Sequence, residues 1–390
     1  MIIALAIVVG IVAALVVWNA AAWPRLRAPA SGADGKRISV LIPARNEERR
    51  LGGVLADLRH SETGIVEILV YDDHSTDRTV AVIADAATHD SRVRRLRPEA
   101  LPDGWRGKPF ACARLAASAH GDWLVFLDAD VRLAPETPAR VIAEAKARQA
   151  TLLSAWPGIG MESFSERWLM PLLNYVVFTL FPAPLSFTSD RPSLGLAHGA
   201  CLACRAADYR AMGGHECVRT ELFEDTRLAQ AWRASGRRGL CVDGQEVVRT
   251  RMYDSFGAIW RGFSKNLGPA FRYRTNLAGF LLFHLTIGVL PFGALAAAAL
   301  NGGSLAGPMV AVLGVFVMRG AQAVRFRYPI WSAGLHPLAV MMMAMLAVVS
   351  RFRYETRGVE WKERRYRPIQ PPPKGRHAAA SADRAGRKTL

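Results

Sequence analysis

The sequence predicts an α/β domain with a mostly parallel sheet, preceded by one transmembrane helix and followed by several more. Short β-rich apolar runs alternate with helical segments between residues 37 and 156, which is the pattern of right-handed βαβ units. The first 23 residues carry no charge, and apolar segments recur at 276–300, 305–324 and 330–350. We therefore expect an anchor at 1–23, a globular domain at 36–250, an interfacial helical segment at 251–275, transmembrane helices at 276–350 and a basic tail at 351–390.

Local signals along the chain predict the elements of the globular domain. Pro43 stops the first β-rich run, Pro109 suits the first turn of a helix, and Gly236 suits the position just after a helix end. Strands are predicted at 37–43, 66–71, 92–97, 123–130, 151–156 and 196–205, and helices at 49–60, 77–88, 109–120, 136–149 and 224–235.

Polar residues follow three of these strands, and parallel sheets bind their ligands at the carboxyl ends of the strands. They are 43–47, Asp72-Asp73 and 128–130. Asp128 and Asp130 end a wholly apolar run, and residues two apart on a strand point to the same side. Hard divalent cations prefer carboxylate oxygens and bridge readily to phosphates. The pair therefore predicts Mg²⁺ or Mn²⁺ held against a phosphate-bearing substrate.

The charge of the chain is concentrated near its end. The formal net charge is +17, and residues 351–390 contain twelve Lys or Arg against four Asp or Glu. A basic tail beside membrane segments indicates contact with anionic lipid headgroups of the cytoplasmic leaflet. The sequence carries no nucleic-acid-binding module, so we expect no nucleic-acid partner. From about residue 370 the Pro, Ala and Arg-rich composition predicts disorder.

The five cysteines do not predict a disulfide framework, because their number is odd and we expect the domain in the cytoplasm. Cys201-x-x-Cys204 has the spacing of zinc ligands, with Cys217 and Cys241 as partners. Residues three apart on a strand face opposite sides, so buried apolar roles are favoured over zinc.

The N-terminal segment is expected to be an uncleaved anchor, because it lacks a positive n-region and basic residues follow it. The positive-inside rule then puts the N-terminus outside and the globular domain in the cytoplasm, in a multi-pass protein of the cell (inner) membrane. Three full crossings after the anchor would put the basic tail outside, against that rule. Arg319 lies inside one candidate span and 334–337 interrupts another. We therefore expect one candidate to be re-entrant or interfacial, which leaves the tail cytoplasmic.

Four motifs together resemble the family 2 glycosyltransferases, whose nucleotide-binding α/β domain has the GT-A fold. They are Ile38-Ser-Val-Leu-Ile-Pro-Ala-Arg-Asn-Glu47, Tyr71-Asp-Asp-His-Ser-Thr-Asp77, Asp128-Ala-Asp130 and Glu224-Asp225. The runs at 104–108, 251–253, 262–266 and 361–364 are similar to a narrower group, the membrane-bound enzymes of carotenoid and hopanoid biosynthesis such as the diaponeurosporenoate glycosyltransferases. That group has Trp-Lys-Gly-Arg near the C-terminus, where this chain has Glu363 in place of the Gly.

The resemblance implies inverting, metal-dependent transfer of a single sugar from a UDP-sugar to a membrane lipid of isoprenoid type, carotenoid or hopanoid. It implies that 36–250 is the catalytic domain, with Asp225 as general base, Asp130 as direct metal ligand and Asp128 contacting ribose or metal. The remaining roles that it implies are uracil binding by Asp73, base and ribose contacts by Glu47 and the Pro43-Ala44 backbone, phosphate contact by Lys108, and closure over nucleotide or acceptor by Glu224, Arg251, Trp361 and Arg364. The chain lacks the Gln-x-x-Arg-Trp signature of processive synthases, which favours one sugar per acceptor.

Structural roles remain open for several of these residues. Asp73 would also suit a helix N-cap, and Glu224-Asp225 would suit the first turn of any helix. Glu47 and Lys108 would also suit a solvated loop, whereas structural roles are favoured for His198 and His215. Two other functions stay open: transfer to a polyprenyl phosphate, whose oxygen is already ionised, and a non-catalytic membrane scaffold that keeps the transferase fold.

Overall fold

The computed structural model describes residues 2–366 except Asp34, Glu62, Arg272, Lys362 and Glu363. Within that range the side chains at 266, 269 and 359–366 lie outside the description. The predicted disorder from about residue 370 falls outside the described residues. The side chains of Trp361 and Arg364, two of the predicted site residues, also lie outside the part that the structure describes.

Twelve strands and fourteen α-helices form the described part of the chain. The strands are β1 Ile38–Ala44, β2 Ile65–Asp72, β3 Val93–Leu96, β4 Trp123–Leu127, β5 Val131–Leu133, β6 Leu152–Trp156, β7 Gly158–Ile159, β8 Cys201–Arg205, β9 Gly239–Asp243, β10 Val248–Thr250, β11 Val359–Trp361 and β12 Arg364–Tyr366. The helices are α1 Ile2–Ala22, α2 Leu51–Arg59, α3 Thr79–His89, α4 Gly107–Ala117, α5 Thr137–Ala147, α6 Phe164–Leu169, α7 Pro171–Leu180, α8 Ala206–Ala211, α9 Glu224–Ala234, α10 Phe256–Ala270, α11 Arg274–Gly288, α12 Leu290–Leu300, α13 Ala306–Phe326 and α14 His336–Arg357.

The central sheet has seven strands in the order β3-β2-β1-β4-β8-β6-β9. Every pairing is parallel except the two made by β8, which runs antiparallel to β4 and β6. The predicted fold class is therefore confirmed. Because β1, β2 and β4 are parallel neighbours, their carboxyl ends meet at one edge, and the predicted site motifs follow those ends.

Alternating side chains of the central strands fill two cores, one on each face of the sheet. Ile42, Val70 and Val125 are buried on one face with helices α2 and α5. Leu41 and Phe126 are buried on the other face with α4 and α9. Both faces are therefore covered, and the polar strand ends are left at the rim.

Several predicted boundaries moved. The strand expected at 123–130 ends at Leu127, so Asp128 and Asp130 lie in the segment between β4 and β5 rather than on a strand. The strand expected at 196–205 begins at Cys201, and Gly199 before it lies against Lys108 and Asp128. The helix expected from residue 77 begins at Thr79, whose amide and hydroxyl both donate to the Asp77 carboxylate. Cys201 and Cys204 are both fully buried in β8, in the cores on opposite faces of the sheet, as the strand periodicity predicts.

Three described helices are long and apolar enough to cross a membrane: α1, α13 and α14. The segment at 276–300 is not one straight helix, because α11 and α12 meet at a bend of 46°. Pro291 lies in the first turn of α12 and cannot donate a backbone hydrogen bond to the preceding turn, which accounts for the break. Together the bent pair makes a fourth candidate span.

Helices α1 and α13 lie side by side and run in the same direction. Ile2 lies against Gly307 and Val9 against Gly314. At the other end, Arg325 donates to the carbonyl oxygen of Trp23 at 2.7 Å. Arg325 also pairs with the buried Asp243 at 2.6 Å, so this end of the two helices is fastened to the α/β domain.

Helix α14 is held near both of its ends, at one by α6 of the α/β domain and at the other by the first residue of α11. Trp168, in α6, donates through Nε1 to the carbonyl oxygen of Leu335 at 3.2 Å, just before α14 begins. Near its other end Glu355 pairs with Arg274 at 2.6 Å, at the first residue of α11. Between these points α14 packs along α10, where Ser350 accepts from the Gly268 amide at 2.6 Å.

Arg319 lies inside α13 with only 3% of its surface exposed. Its guanidinium donates to the hydroxyl of Ser332 at 3.0 Å and to the amide oxygen of Gln322 at 3.4 Å. A charged group in a membrane segment is tolerated when it faces the protein interior and finds polar partners. Arg319 therefore does not prevent α13 from being a span.

Candidate active site

A cavity of about 320 Å³ opens at the carboxyl ends of β1, β2 and β4. Seven of the predicted site residues line it: Pro43, Ala44, Glu47, Asp73, Lys108, Asp128 and Asp130. They come from four separate stretches of sequence, and the parallel pairing of three strands brings them together.

The ends of β1 and β2 are joined by main-chain contacts at this cavity. The Asp73 amide donates to the carbonyl oxygen of Ala44 at 2.8 Å, and Arg45 donates to the carbonyl oxygen of Asp73 at 2.6 Å. Asp73 is buried, and the N-cap position of the following helix is occupied by Arg78. Asp73 therefore does not cap α3, and its carboxylate lies at the wall of the cavity.

Lys108 is the central cation of the site. It lies in the first turn of α4, and its Nζ is 2.7 Å from Oδ1 of Asp128 and 2.8 Å from Oε1 of Glu224. Burial alone would lower the pKa of this ammonium group, but the charges of Asp128, Glu224 and Asp225 raise it well above its usual range. Lys108 is thus a partly buried, permanently charged bridge rather than an exposed loop lysine.

Asp130 lies in a surplus of negative charge. Burial, together with the neighbouring Asp128 and Glu47, raises the pKa of Asp130 to about 6. Nη1 of Arg50 lies 3.5 Å from Oδ2 of Asp130, and the Arg50 side chain is 40% exposed. A cation bound beside Asp130 would stabilise this site, because it would offset the negative charges of Asp130, Asp128 and Glu47.

The donor chemistry of Asp128 and Asp130 fits Mg²⁺ or Mn²⁺, which take carboxylate oxygens in company with substrate phosphates. Among the described residues no group of three His, Cys, Asp or Glu side chains is arranged as a complete protein cage. Mg²⁺ commonly binds through one or two carboxylates and keeps its other positions for water and phosphate, so the two acids are a sufficient protein contribution.

Asp225 is held by two backbone donors at the start of α9. The Gly199 amide donates to its Oδ2 at 2.7 Å, and the Thr226 amide donates to its Oδ1 at 2.7 Å. Burial raises the pKa of Asp225, although these donors and Lys108 act in the opposite direction. The pKa of Glu224 is raised by burial as well. Asp225 therefore combines a fixed orientation with increased basicity, as a general base requires.

The two halves of the predicted site meet at Lys108. A narrow crevice of about 20 Å³ is lined by Lys108 and Asp128 together with Glu224 and Asp225. Lys108 and Asp128 also line the larger cavity. The predicted donor side and the predicted base are thus on opposite sides of one ion-paired lysine.

Gly199 is a site residue that the motifs did not reveal. A Cβ at this position would lie 2.6 Å from Nζ of Lys108 and 3.0 Å from Oδ2 of Asp128, so only glycine fits without displacing them. In the sequence the sole signal is a glycine inside the strand predicted at 196–205. The adjacent His198 accepts from the Ala200 amide through Nδ1, and burial lowers its pKa to about 4. His198 is therefore a neutral structural residue, as expected.

The sequence also missed several lining residues, of which only Arg45 lies in one of the four motifs. Arg45, Arg50, Met252, Tyr253 and Lys265 line the same cavity. Tyr253 follows the small sheet of β5, β10 and β7, and Lys265 belongs to α10. Met252, Tyr253 and Lys265 lie in the runs at 251–253 and 262–266 that resemble the narrower group, but the sequence predicts only an interfacial helical segment there.

Arg251 has a different place from the one predicted. Its guanidinium pairs with Glu166 at 2.8 Å and with Glu162 at 2.7 Å, and the residue is absent from the cavity lining. Glu166 is fully buried and closes a capping box with Ser163 at the start of α6. Burial tends to raise the pKa of Glu166, but Arg251 and Ser163 outweigh it and hold the pKa at about 2. A buried carboxylate needs such a partner, so Arg251 stabilises α6 instead of closing the site.

Trp361 and Arg364, two further residues predicted to close the site, lie in a C-terminal hairpin. The backbones of β11 and β12 pair antiparallel, with Trp361 opposite Arg364. Their side chains are outside the described part, so a role in closure stays a prediction.

A sheet of this order, with acids and a buried lysine at the carboxyl ends of its parallel strands, defines a glycosyltransferase domain of the GT-A type. Residues 39–212 match the family model for glycosyl transferase family 2, and the chain carries a domain of that family. The resemblance predicted from the motifs is confirmed.

Curated relatives with the same name support this assignment. The chain is 31% identical over 242 residues to a 4,4'-diaponeurosporenoate glycosyltransferase of Staphylococcus haemolyticus, a match that covers 60% of the chain and 62% of the relative. It is 28% identical over 249 residues to the enzyme of that name from Staphylococcus aureus, covering 62% of the chain and 64% of the relative. The chain thus matches less than two thirds of the length of these relatives.

The fold is shared with a solved mannosyltransferase, PcManGT from Pyrobaculum calidifontis, in complex with GDP-Man and Mn²⁺. The TM-score is 0.51 at 17% identity, and the match covers 90% of this chain and 98% of that one. The coverage extends beyond the family 2 domain, so the likeness in fold includes helical segments outside it.

Proposed function

We propose that this protein is an integral-membrane, inverting glycosyltransferase that moves one sugar from a UDP-sugar to a membrane lipid of isoprenoid type. The observation that carries the proposal is the network around Lys108, which joins Asp128 on one side to Glu224 on the other, beside the fixed carboxylate of Asp225. The names of the curated relatives suggest a carotenoid-type acceptor, and a hopanoid-type lipid has related chemistry.

The larger cavity would hold the nucleotide diphosphate of the donor. Asp73 would accept a hydrogen bond from the uracil ring, while Glu47 and the backbone of Pro43 and Ala44 would line base and ribose. Asp130 and Asp128 would hold Mg²⁺ or Mn²⁺. When bound, this ion would neutralise part of the negative charge of the diphosphate. Lys108 stays protonated beside them and stabilises the negative charge that develops on the leaving UDP.

Asp225 would act on the acceptor side. As the acceptor hydroxyl attacks the anomeric carbon, its proton passes to the Asp225 carboxylate and a new C–O bond forms. The bond from the anomeric carbon to the diphosphate oxygen breaks with its electron pair remaining on UDP. Attack opposite the leaving group inverts the anomeric centre, and the raised pKa of Asp225 makes it a better proton acceptor.

The helix packing supports a specific membrane arrangement with the N-terminus outside. Helix α1 would enter the cytoplasm at Trp23, and the bent pair α11–α12 would return to the outer side, where Ile2 lies against Gly307. Helix α13 would then cross back beside α1. Because α14 begins beside α6 of the α/β domain and ends beside the first residue of α11, which follows that domain, α14 would lie in the interface. This leaves the basic tail cytoplasmic, in agreement with the positive-inside rule.

Lipid mass spectrometry of expressing cells tests the function. The wild-type chain, Asp130→Ala and Asp225→Asn would be expressed beside an empty-vector control in a host that makes isoprenoid lipids. A lipid that gains one hexose with the wild type alone is the expected result. If purified protein with Mn²⁺ bound no UDP and Asp130→Ala changed nothing, a non-catalytic scaffold would be the better interpretation. A gain of hexose on a polyprenyl phosphate, retained in Asp225→Asn, would favour the ionised acceptor instead.

A further inference from the structure

A second cavity, wholly apolar, lies between helices α7, α10, α11 and α14. Its volume is about 170 Å³, and every described side chain in its lining is apolar. The wall includes Val176 of α7, Phe263 of α10, Phe280 of α11 and Met342 of α14. A dry pocket of this composition selects a hydrocarbon ligand, because any polar group placed in it would lose its hydrogen bonds to water.

The apolar cavity is next to the candidate active site. Tyr253 lines the polar cavity, and its ring packs on Phe263 of the apolar cavity with centroids 5.6 Å apart. Helix α10 borders both spaces, because it presents Lys265 to the polar cavity and Phe263 with Leu267 to the apolar one. One aromatic pair and one amphipathic helix therefore separate a charged site from a hydrocarbon site.

We propose that this apolar cavity binds the hydrocarbon chain of the lipid acceptor and so holds its hydroxyl end next to the polar cavity. The inference rests on the proposed function, which it deepens by assigning the acceptor subsite. Three of the helices around the cavity, α10, α11 and α14, follow the α/β domain in the chain. Helix α11 belongs to a candidate membrane span, which gives a lipid a route to the cavity from the bilayer. The cavity is smaller than the ~300–1,000 Å³ of pockets that enclose a drug-sized ligand, so it holds one segment of the chain.

Two adjacent methionines of α14 offer a matched pair of variants. Met342 lines the cavity, whereas Met341 is 51% exposed on the outer surface of the same helix. Met342→Trp should fill the cavity, and Met341→Trp should leave it open with the same change in composition. Both variants would be prepared as full-length protein in lipid nanodiscs, and thermal unfolding would establish that both are folded.

Binding would be measured with a photoreactive isoprenoid alcohol that carries a diazirine on its chain. The expected result is crosslinking of wild type and Met341→Trp within α7, α10 or α14, and a loss of about tenfold in Met342→Trp. Unlabelled isoprenoid alcohol should compete, and the same amount of phosphatidylglycerol should not. Equal crosslinking of all three proteins, or equal competition by phosphatidylglycerol, would overturn the assignment, the latter because the cavity would then hold bulk lipid.

The same preparations separate this inference from the proposed function. UDP binding and UDP release from the donor in the presence of acceptor report on the transferase activity and do not require the probe. Loss of crosslinking in Met342→Trp with unchanged UDP binding identifies the acceptor subsite. Specific crosslinking in a protein that never releases UDP would contradict the transferase and make the cavity an isoprenoid-binding site, whereas UDP release that is insensitive to Met342→Trp contradicts the subsite alone.

Discussion

The backbone amide of Gly199 donates a 2.7 Å hydrogen bond to Oδ2 of Asp225. The same glycine lies against Lys108 and Asp128, where any Cβ would be too close. A single residue before β8 thus orients the candidate base and leaves room for the ion pair that borders the donor cavity.

Asp225→Asn should lower the transfer rate to a hydroxyl acceptor by about 10²–10⁴, the usual contribution of general-base catalysis. Asn keeps an oxygen for the Gly199 amide but accepts a proton poorly. In the wild type the raised pKa of Asp225 means that the active, deprotonated form increases as pH rises through that pKa. UDP release measured against pH should therefore rise toward neutral pH in the wild type.

The control for this prediction is UDP binding, which Asp225→Asn should leave near the wild-type value. A variant with nearly full turnover and a flat pH profile would show that the acceptor oxygen is already ionised.

Gly199→Ala should reduce activity and stability together. A methyl group 2.6 Å from Lys108 Nζ must displace the lysine or the strand entry, and such overpacking costs about 1–3 kcal/mol. Gly52→Ala is the matched control, since its Cβ would find its nearest neighbour at 3.6 Å, an ordinary contact. Thermal unfolding and UDP release of both variants are the measurements, and similar results for the two would refute the steric argument.

Lys108→Met should weaken UDP binding and destabilise the domain, because Asp128 and Glu224 would lose their common partner. Removing one member of a buried pair costs about 3–5 kcal/mol, and the partial exposure of Lys108 puts the expected loss below that range. The double variant Lys108→Met with Glu224→Gln should recover part of the stability, since one unpaired charge is removed. Unfolding temperatures that do not improve in the double variant would contradict the shared ion pair.

Arg251→Ala should lower the unfolding temperature while UDP binding per folded molecule is unchanged, because Arg251 pairs with Glu166 and does not line the cavity. The pKa of Glu166 is depressed in the folded state, so its contribution to stability is present at neutral pH. That contribution is lost as pH falls through the folded pKa of about 2. If Arg251→Ala instead weakened UDP binding with no loss of stability, the closing role predicted from the sequence would be restored.

Cysteine labelling tests the membrane arrangement. Residue 304 lies between α12 and α13. A cysteine introduced there by Ser304→Cys should react with a membrane-impermeant maleimide applied from outside. Cys217 is exposed on the α/β domain, and it should react only after the membrane is opened. Because the other native cysteines are buried, they provide a low background. Labelling of Cys217 in intact cells would reverse the proposed orientation.

Much of the donor side could be predicted from the sequence, since its residues follow strands directly. Asp128, Asp130 and Asp73 come at the ends of apolar β-rich runs, and parallel pairing forces such ends to one edge. The resemblance to known motifs then gave each residue a role. Lys108 and Asp225 were found by resemblance, although their meeting across an ion pair with Glu224 was not foreseen.

Local periodicity and composition are enough to predict the sheet class, the acidic strand ends and the apolar helices. Three other relations are visible only in the folded chain: Gly199 orients Asp225, Arg251 pairs with Glu166, and α14 begins beside α6. These relations join residues far apart in the chain, and they depend on steric fit and on which buried charge finds which partner. Steric fit and the pairing of buried charges leave no periodic signal in the sequence, so they can be seen only once the chain is packed.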